Sequence, residues 1–327
     1  MGNFVFDPFN EQPDAEDRVT RIFQAARFLR YESGPPPVDP SLPPGFKWIG
    51  DRGFKPEGNP AYPNPCDATE VLRLNNQHKQ IRIVLQGNQM APVHEQLKNG
   101  ARVLDAGCGT GIWTIDMAHT YPASDFTATD MIDIFAHGME NLASAPPNCH
   151  FQIADTTKRL PFPDEAFDYV FQRLAFSSFR ENQWPKVISE LIRVTKQGGW
   201  LELVDANAMI ENAGPSGLDF CLRIKQFLTL RDINTDYALT LGEVLKSAAL
   251  QDVVFDHREI PIGWGPEEIA IPTAKTFENT LRCLKPQATI ALGLGDKEFD
   301  EMVEEVLMEI VSQKCYWNVF YAYGRKP

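Results

Sequence analysis

Asp105 and three glycines, Gly107, Gly109 and Gly111, stand in the run VLDAGCGTGIW from Val103 to Trp113. An apolar strand that turns tightly into a helix leaves the first helical N–H groups unpaired and pointing outward, so an electron-rich ligand can settle there. Glycine at alternate positions lets the backbone itself approach that ligand. A phosphate loop needs four residues between its glycines, then Lys and Ser or Thr, but Ile112 and Trp113 follow Gly111. A dinucleotide fingerprint needs its third glycine at 112, so the spacing disfavours an NAD-type dehydrogenase without closing that option; its distinguishing property would be nicotinamide binding. The next apolar run, DFTATD, ends in Asp130 about twenty residues beyond the glycines, the distance at which an acid accepts both hydroxyls of a ribose.

The elements that must position these groups follow from periodicity. Short apolar runs alternate with helical stretches: RVLDAG, GIWTIDMAHTY, DFTATD, IFAHGMENLASA, HFQIAD, FDYVFQR, QWPKVISELIRVTKQ and GGWLELVDA. Such alternation predicts an α/β fold with a parallel sheet covered on both faces. A helix over DATEVLRLNNQHKQIRIVL precedes the glycine run, with Asp67 as N-cap and Glu70 three residues on. Farther on, helices are expected near Gly217–Leu230 and Leu241–Leu250, then a strand VVFDHREIPI, helices to about Val311 and a final strand CYWNVFYAY. At the other end an amphipathic helix is expected from Asp14 to Tyr31. A proline-rich arm follows from Gly34 to Pro65, with Phe46, Trp48 and Phe54 laid against the body.

The glycine run resembles motif I of the class I, seven-stranded S-adenosylmethionine-dependent methyltransferases, a hydrophobic strand followed by D/E-x-G-x-G-x-G. The resemblance implies a Rossmann-like doubly wound sheet of seven strands, the last antiparallel, carrying an N-terminal arm and a helical lid. It implies that Asp105 orients the loop and the methionine ammonium end, that Gly107, Cys108, Gly109, Gly111 and Trp113 form the turn, and that Asp130 with Met131 meets the ribose. By the same resemblance Asp155 and Thr156, after HFQIAD, hold the adenine, and Gln172 and Arg173, after FDYVFQR, line the methionine side. A narrower resemblance spans most of the chain. YPNPCDATEVLRLNNQH, from Tyr62 to His78, is similar to the Y-x-L-P-N-D…E-x-x-R-L-x-x-Q-H segment of a fungal group that includes secondary-metabolite methyltransferases and a regulator of secondary metabolism. It departs in having Pro63 directly after Tyr62 and Cys66 beside Asp67, and it implies pocket-lining roles for Tyr62, Arg73 and His78.

Methyl transfer from a sulfonium is an in-line displacement whose acceleration comes largely from holding the nucleophile about 3 Å from the methyl group. It requires no metal, and a base only when the acceptor arrives protonated. His78, on the helix expected to cross the cofactor mouth, is the first candidate base; Glu202, Asp205 and His137 follow. QRLAFSSF stands where base-flipping amino-methylating enzymes of this fold carry N/D-P-P-Y/F, and a net charge of -13 without a basic block argues against nucleic acid. A small-molecule methyl acceptor is therefore expected, with O-methylation slightly ahead of N or S and S-adenosylhomocysteine as co-product. The alternative is a cofactor-binding regulatory protein of the same fold without turnover.

Six scattered cysteines lack CxxC or CxxH spacing, so no zinc or redox pair is expected. No apolar run reaches the roughly 18–20 residues of a membrane span, which sets the expectation of a cytoplasmic protein with no membrane partner. The expected division is a helix and arm over 1–66 and a methyltransferase domain over 67–327. Cover segments over 207–250 and 266–311 are long enough to roof an apolar pocket; Phe220, Phe227, Trp264, Phe277 and the aromatics of the last strand are candidates to line it, with plain core the expected place for most of them.

Overall fold

A computed structural model describes residues 47–49, 52–54, 61–134 and 143–327. The helix expected over 14–31, most of the arm, His137 and the middle of the helix expected at IFAHGMENLASA lie outside the described residues. Within them the alternation of apolar runs becomes a seven-stranded sheet. Its strands are β3 (Arg102–Ala106), β4 (Asp125–Asp130), β5 (Cys149–Ile153), β6 (Phe167–Arg173), β7 (Thr195–Ala206), β8 (Gln251–Pro261) and β9 (Tyr316–Arg325), in the order β5-β4-β3-β6-β7-β9-β8. β3 to β7 pair in parallel, and β9 runs antiparallel to both β7 and β8. Strand order reverses at β3, whose neighbours are β4 on one side and β6 on the other. That reversal opens a crevice at the carboxyl ends of the central strands, where open α/β sheets take their ligands.

Because both faces are covered, the central strands are apolar nearly throughout, and alternate residues enter opposite cores. Tyr169 and Phe171 of β6 pack with Ile81, Trp113 and Met117 on one face. Val170 packs on the other with Leu104, Trp184, Leu191 and Leu201. The helices supplying these layers are α1 (Ala68–Val84), α2 (His94–Asn99), α3 (Ile112–Thr120), α4 (Trp184–Val194), α5 (Pro215–Thr229), α6 (Leu241–Ser247), α7 (Glu267–Leu292) and α8 (Asp296–Ser312). A third cluster, including Phe220, Ile224 and Phe227 of α5 and Phe299, Val303 and Ile310 of α8, forms the core of a helical cover.

The arm differs from the expected extended segment by forming a small hairpin, β1 (Lys47–Ile49) with β2 (Arg52–Phe54). Phe54 is buried, and Arg52 forks onto Asp67 at 2.7 and 3.0 Å. Asp67 caps α1 as expected, accepting from the Glu70 amide at 3.0 Å. The Glu70 carboxylate does not reach back to complete the box; it turns to Arg73, at 2.6 and 2.9 Å. Without Glu70 the buried Arg73 guanidinium would lack a counter-charge, which is a stronger demand than one cap donor. The helix expected over QWPKVISELIRVTKQ stops at Val194, and its last residues join β7, where Thr195 pairs with Phe167.

Candidate active site

The cleft lies over the carboxyl ends of β3, β4, β5 and β6 and is roofed on one side by α1. β3 ends in Asp105, which is buried and accepts from Thr114 Oγ1 of α3 at 2.5 Å. Burial pushes its carboxyl up to about 7, against the pull of Thr114 and the Arg173 charge. The chain then turns: the amides of Gly107 and Cys108 both donate to Thr129 O, at 2.7 and 2.9 Å, tying the turn to β4. β4 ends in Asp130, whose carboxylate accepts from the amides of Gly109 at 2.9 Å and Ile132 at 3.0 Å. Burial raises the Asp130 carboxyl despite these donors. Asp155, after β5, accepts from Thr157 at 2.6 and 2.9 Å and pairs with Lys158 at 3.2 Å. Burial pushes its carboxyl up, but these partners outweigh burial and leave it below the ordinary value.

Gly107 and Gly111 have different tasks. Gly107, at φ 80°, would hold a Cβ in open space, so its missing side chain keeps the cleft clear. Gly111, at φ 74°, is not on the cleft wall; a Cβ there would stand 2.3 Å from Phe151 Cε1. It closes the turn against β5 and starts α3 in the left-handed conformation, so the ligand approach expected of it is corrected to a packing role. Gly111→Ala is accordingly expected to lower Tm by several degrees, with a larger loss than Gly107→Ala, measured by calorimetric melting of the ligand-free variants.

Of the other residues expected at the site, Tyr62, His78, Cys108, Gly109, Trp113, Met131, Thr156 and Arg173 line the cleft. Trp113 stacks on Phe171, ring centroids 3.9 Å apart, and donates from Nε1 to Asn88 O at 2.7 Å, making a flat apolar floor. Two expectations are corrected. Arg73 is buried away from the cleft in its pair with Glu70 and donates to Thr280 of α7 at 3.2 Å; it fastens α1 to the cover. Gln172 alternates to the other side of β6 from Phe171 and Arg173 and is buried with its amide atoms unpartnered among the described residues. The aromatics of the cover take the core places expected for most of them. Phe220 and Phe227 are core of the cover, Phe277 packs against that core, and Trp264 is tied to Cys315 O at 2.6 Å.

His78 is corrected most. Its ring is 2 % exposed, and both nitrogens are engaged: Nε2–H donates to Asp116 Oδ2 at 2.9 Å, while Nδ1 accepts from Arg173 Nη2 at 2.8 Å. Burial, joined by the Arg173 charge, drives its pKa down to about 4. The neutral ring therefore has no lone pair to offer a substrate proton, and a base needs one within reach. Glu202 and Asp205 are no better placed. Glu202 clamps the Met90 and Ala91 amides and the Tyr169 hydroxyl, and Asp205 accepts from the Ala206 amide at 2.9 Å; neither reaches the cleft. Sequence reasoning missed Asp116, which also takes Arg82 at 2.8 Å, and Thr110, whose hydroxyl donates to Asn75 Oδ1 of α1 at 2.7 Å. Both contacts join residues tens of positions apart, beyond any periodic signal.

An open sheet with its reversal at β3, a glycine turn and a row of carboxylates over one crevice is the arrangement that the resemblance to the class I S-adenosylmethionine-dependent methyltransferases implied. Residues 103–199 match the family model described as a methyltransferase domain. The chain is 29% identical over 266 residues to Methyltransferase str2 of Strobilurus tenacellus, covering 77% of this chain and 91% of that one. It is 26% identical over 284 residues to N-methyltransferase tcpN of Claviceps purpurea, covering 79% and 94%. A shorter match, 30% identical over 147 residues, covers 44% of this chain and 45% of Secondary metabolism regulator LAE1 of Cochliobolus heterostrophus. The chain carries a methyltransferase domain and is an S-adenosylmethionine-dependent methyltransferase. The cleft fits that cofactor, since Asp130 presents a carboxylate, Gly107 leaves room beside the turn, and Arg173 faces the cavity with no carboxylate paired to it among the described residues. No described helix is long and apolar enough to cross a membrane.

Proposed function

We propose that this methyltransferase acts on a small secondary metabolite that enters already nucleophilic, through an amine nitrogen or a carboxylate oxygen. The observation that carries this reading is the closed coordination of His78: the one imidazole on the cleft wall among the described residues has no free lone pair. When bound, S-adenosylmethionine supplies a sulfonium methyl group open to in-line displacement. Asp130 would accept from the ribose hydroxyls, Asp155 and Thr156 would meet the adenine, and the Trp113–Phe171 floor would keep water from the reacting side. The likeness to the N-methyltransferase tcpN supports the amine, and the likeness to the methyltransferase str2 is compatible with either acceptor. We assign residues 67–327 to the catalytic domain, covered by 207–250 and 266–311, with 1–66 as the arm.

The test is S-adenosylhomocysteine release from labelled cofactor in the presence of low-molecular-mass metabolite fractions. Turnover is expected with an amine- or carboxylate-containing fraction, its kcat flat across the range where a histidine base would titrate. Cofactor binding without turnover on any fraction would favour a regulatory protein. Turnover confined to a fraction whose members carry a phenol or thiol, and neither amine nor carboxylate, would replace the proposed acceptor class.

A further inference from the structure

Gln77 is a half-buried amide on the cleft wall, and a neighbour decides which way it faces. Arg73, one turn back on α1, brings Nη1 to 3.4 Å from Gln77 Oε1. A guanidinium only donates, so the amide turns its oxygen toward Arg73 and its two N–H groups away from it. Arg73 itself is held: Glu70 grips it at 2.6 and 2.9 Å, and Thr280 accepts from it at 3.2 Å. The side-chain N–H groups of Gln77 meet no acceptor among the described residues.

Helix geometry says which part of the cleft they serve, since successive residues step about 100° around the axis. Arg73 and Gln80 lie on the line that meets α7, where Gln80 donates to Thr276 Oγ1 at 2.7 Å and to Pro272 O at 2.8 Å. Leu74 and His78 lie on the line that meets the strand ends: a Cβ on Gly109 would stand 3.9 Å from Leu74 Cδ1, and His78 is bonded to Arg173. Gln77 falls between the two lines, in the corner where the cleft meets the cover. Tyr62 also lines the cleft, and the charges of Glu70 and Arg73 both act on its phenol. Burial, with Glu70 behind it, raises the Tyr62 pKa, so that hydroxyl keeps its proton. Both groups offer hydrogens, and a molecule that fits them must bring an oxygen. We propose that Gln77 is a specificity-determining residue whose amide donates to a carboxylate or carbonyl oxygen of the methyl acceptor, turning the nucleophilic atom toward the cofactor. The inference rests on the methyltransferase reading and deepens it by naming a group that the acceptor carries.

Three simple probes test it on the full chain saturated with S-adenosylhomocysteine: benzoate, benzamide and benzylamine. The readout is the side-chain amide of Gln77 in nitrogen–proton NMR spectra, assigned by its disappearance in Gln77→Leu. Benzoate or benzamide is expected to shift that signal saturably, because its N–H groups gain an acceptor, while benzylamine, which has no oxygen, leaves it in place. A response to benzoate alone assigns the carboxylate, and one to benzamide alone the carbonyl. Gln77→Leu, similar in size, is expected to weaken the responding probe about tenfold and to hold S-adenosylhomocysteine within about twofold of the parent. Retained binding of S-adenosylhomocysteine also certifies that the variant is folded. A Gln77 signal unmoved by all three probes, or moved equally by benzylamine, overturns the inference. So does a tenfold loss of S-adenosylhomocysteine affinity in Gln77→Leu, which makes Gln77 a cofactor contact. Failure of the unsubstituted protein to bind S-adenosylhomocysteine overturns the methyltransferase reading instead.

Discussion

Asp130→Ala is expected to weaken S-adenosylhomocysteine binding by a hundredfold or more in titration calorimetry while the ligand-free protein keeps a Tm within a few degrees of the parent. The carboxylate has two duties that a methyl group cannot perform. It is the half-buried acceptor on the cleft wall proposed for the ribose hydroxyls, and it holds the Gly109 and Ile132 amides at 2.9 and 3.0 Å, which sets the curvature of the turn. Losing a charged acceptor for two hydroxyls costs about 3 kcal/mol, a factor of roughly a hundred. The freed amides border an open cleft where water can replace the lost partner, so the cost falls on binding rather than on folding. An affinity change under threefold would remove Asp130 from the site.

Glu202→Ala is the larger effect on stability. Glu202 is fully buried in the middle of β7, and its two oxygens gather the amides of Met90 and Ala91 and the hydroxyl of Tyr169 at 2.7 to 3.0 Å. Removing it strands three buried donors, and a loss of about 3 kcal/mol in unfolding free energy is expected in denaturant melts. The loss depends on pH with a definite sign. Burial raises the Glu202 carboxyl from 4.5 to about 7, against the opposing pull of its donors, so the folded state holds its proton more tightly than the unfolded chain. The group's contribution is complete below about 4.5 and declines as pH climbs to 7. The substitution should therefore cost more at pH 5 than at pH 8. A cost that grows with pH would mean that the donors, not burial, govern this carboxylate.

Local chemistry made much of this molecule legible. Asp105, Gly107 and Asp130 sit at strand ends that period-two apolar runs announce, and parallel pairing places those ends along one edge, so the turn and both carboxylates arrive together. The same logic reads Asp67 as a cap, because a cap bonds to its own first turn. What the sequence left hidden were side-chain contacts with partners distant in the chain. His78 looked like a base because a histidine on a helix beside a cleft is available until something takes its nitrogens, and Asp116 and Arg173 lie 38 and 95 residues away. Arg73 was drawn from the cleft by Glu70 and Thr280, and Gly111 was claimed by the Phe151 ring. The short helix α2 shows the lower limit of periodicity: six residues with Leu97 alone buried carry no repeat to detect.

The central claim is that the crevice over β3, β4, β5 and β6 receives S-adenosylmethionine with its ribose at Asp130 and its amino-acid tail between Asp105 and Arg173. A crystal structure with S-adenosylhomocysteine bound tests it most directly. The account predicts both ribose hydroxyls within hydrogen-bonding distance of the Asp130 carboxylate, the adenine against Asp155 and Thr156, and the tail carboxylate on Arg173. Density for the ligand elsewhere, or in this crevice with its adenine at Arg173 and its tail at Asp155, would contradict it.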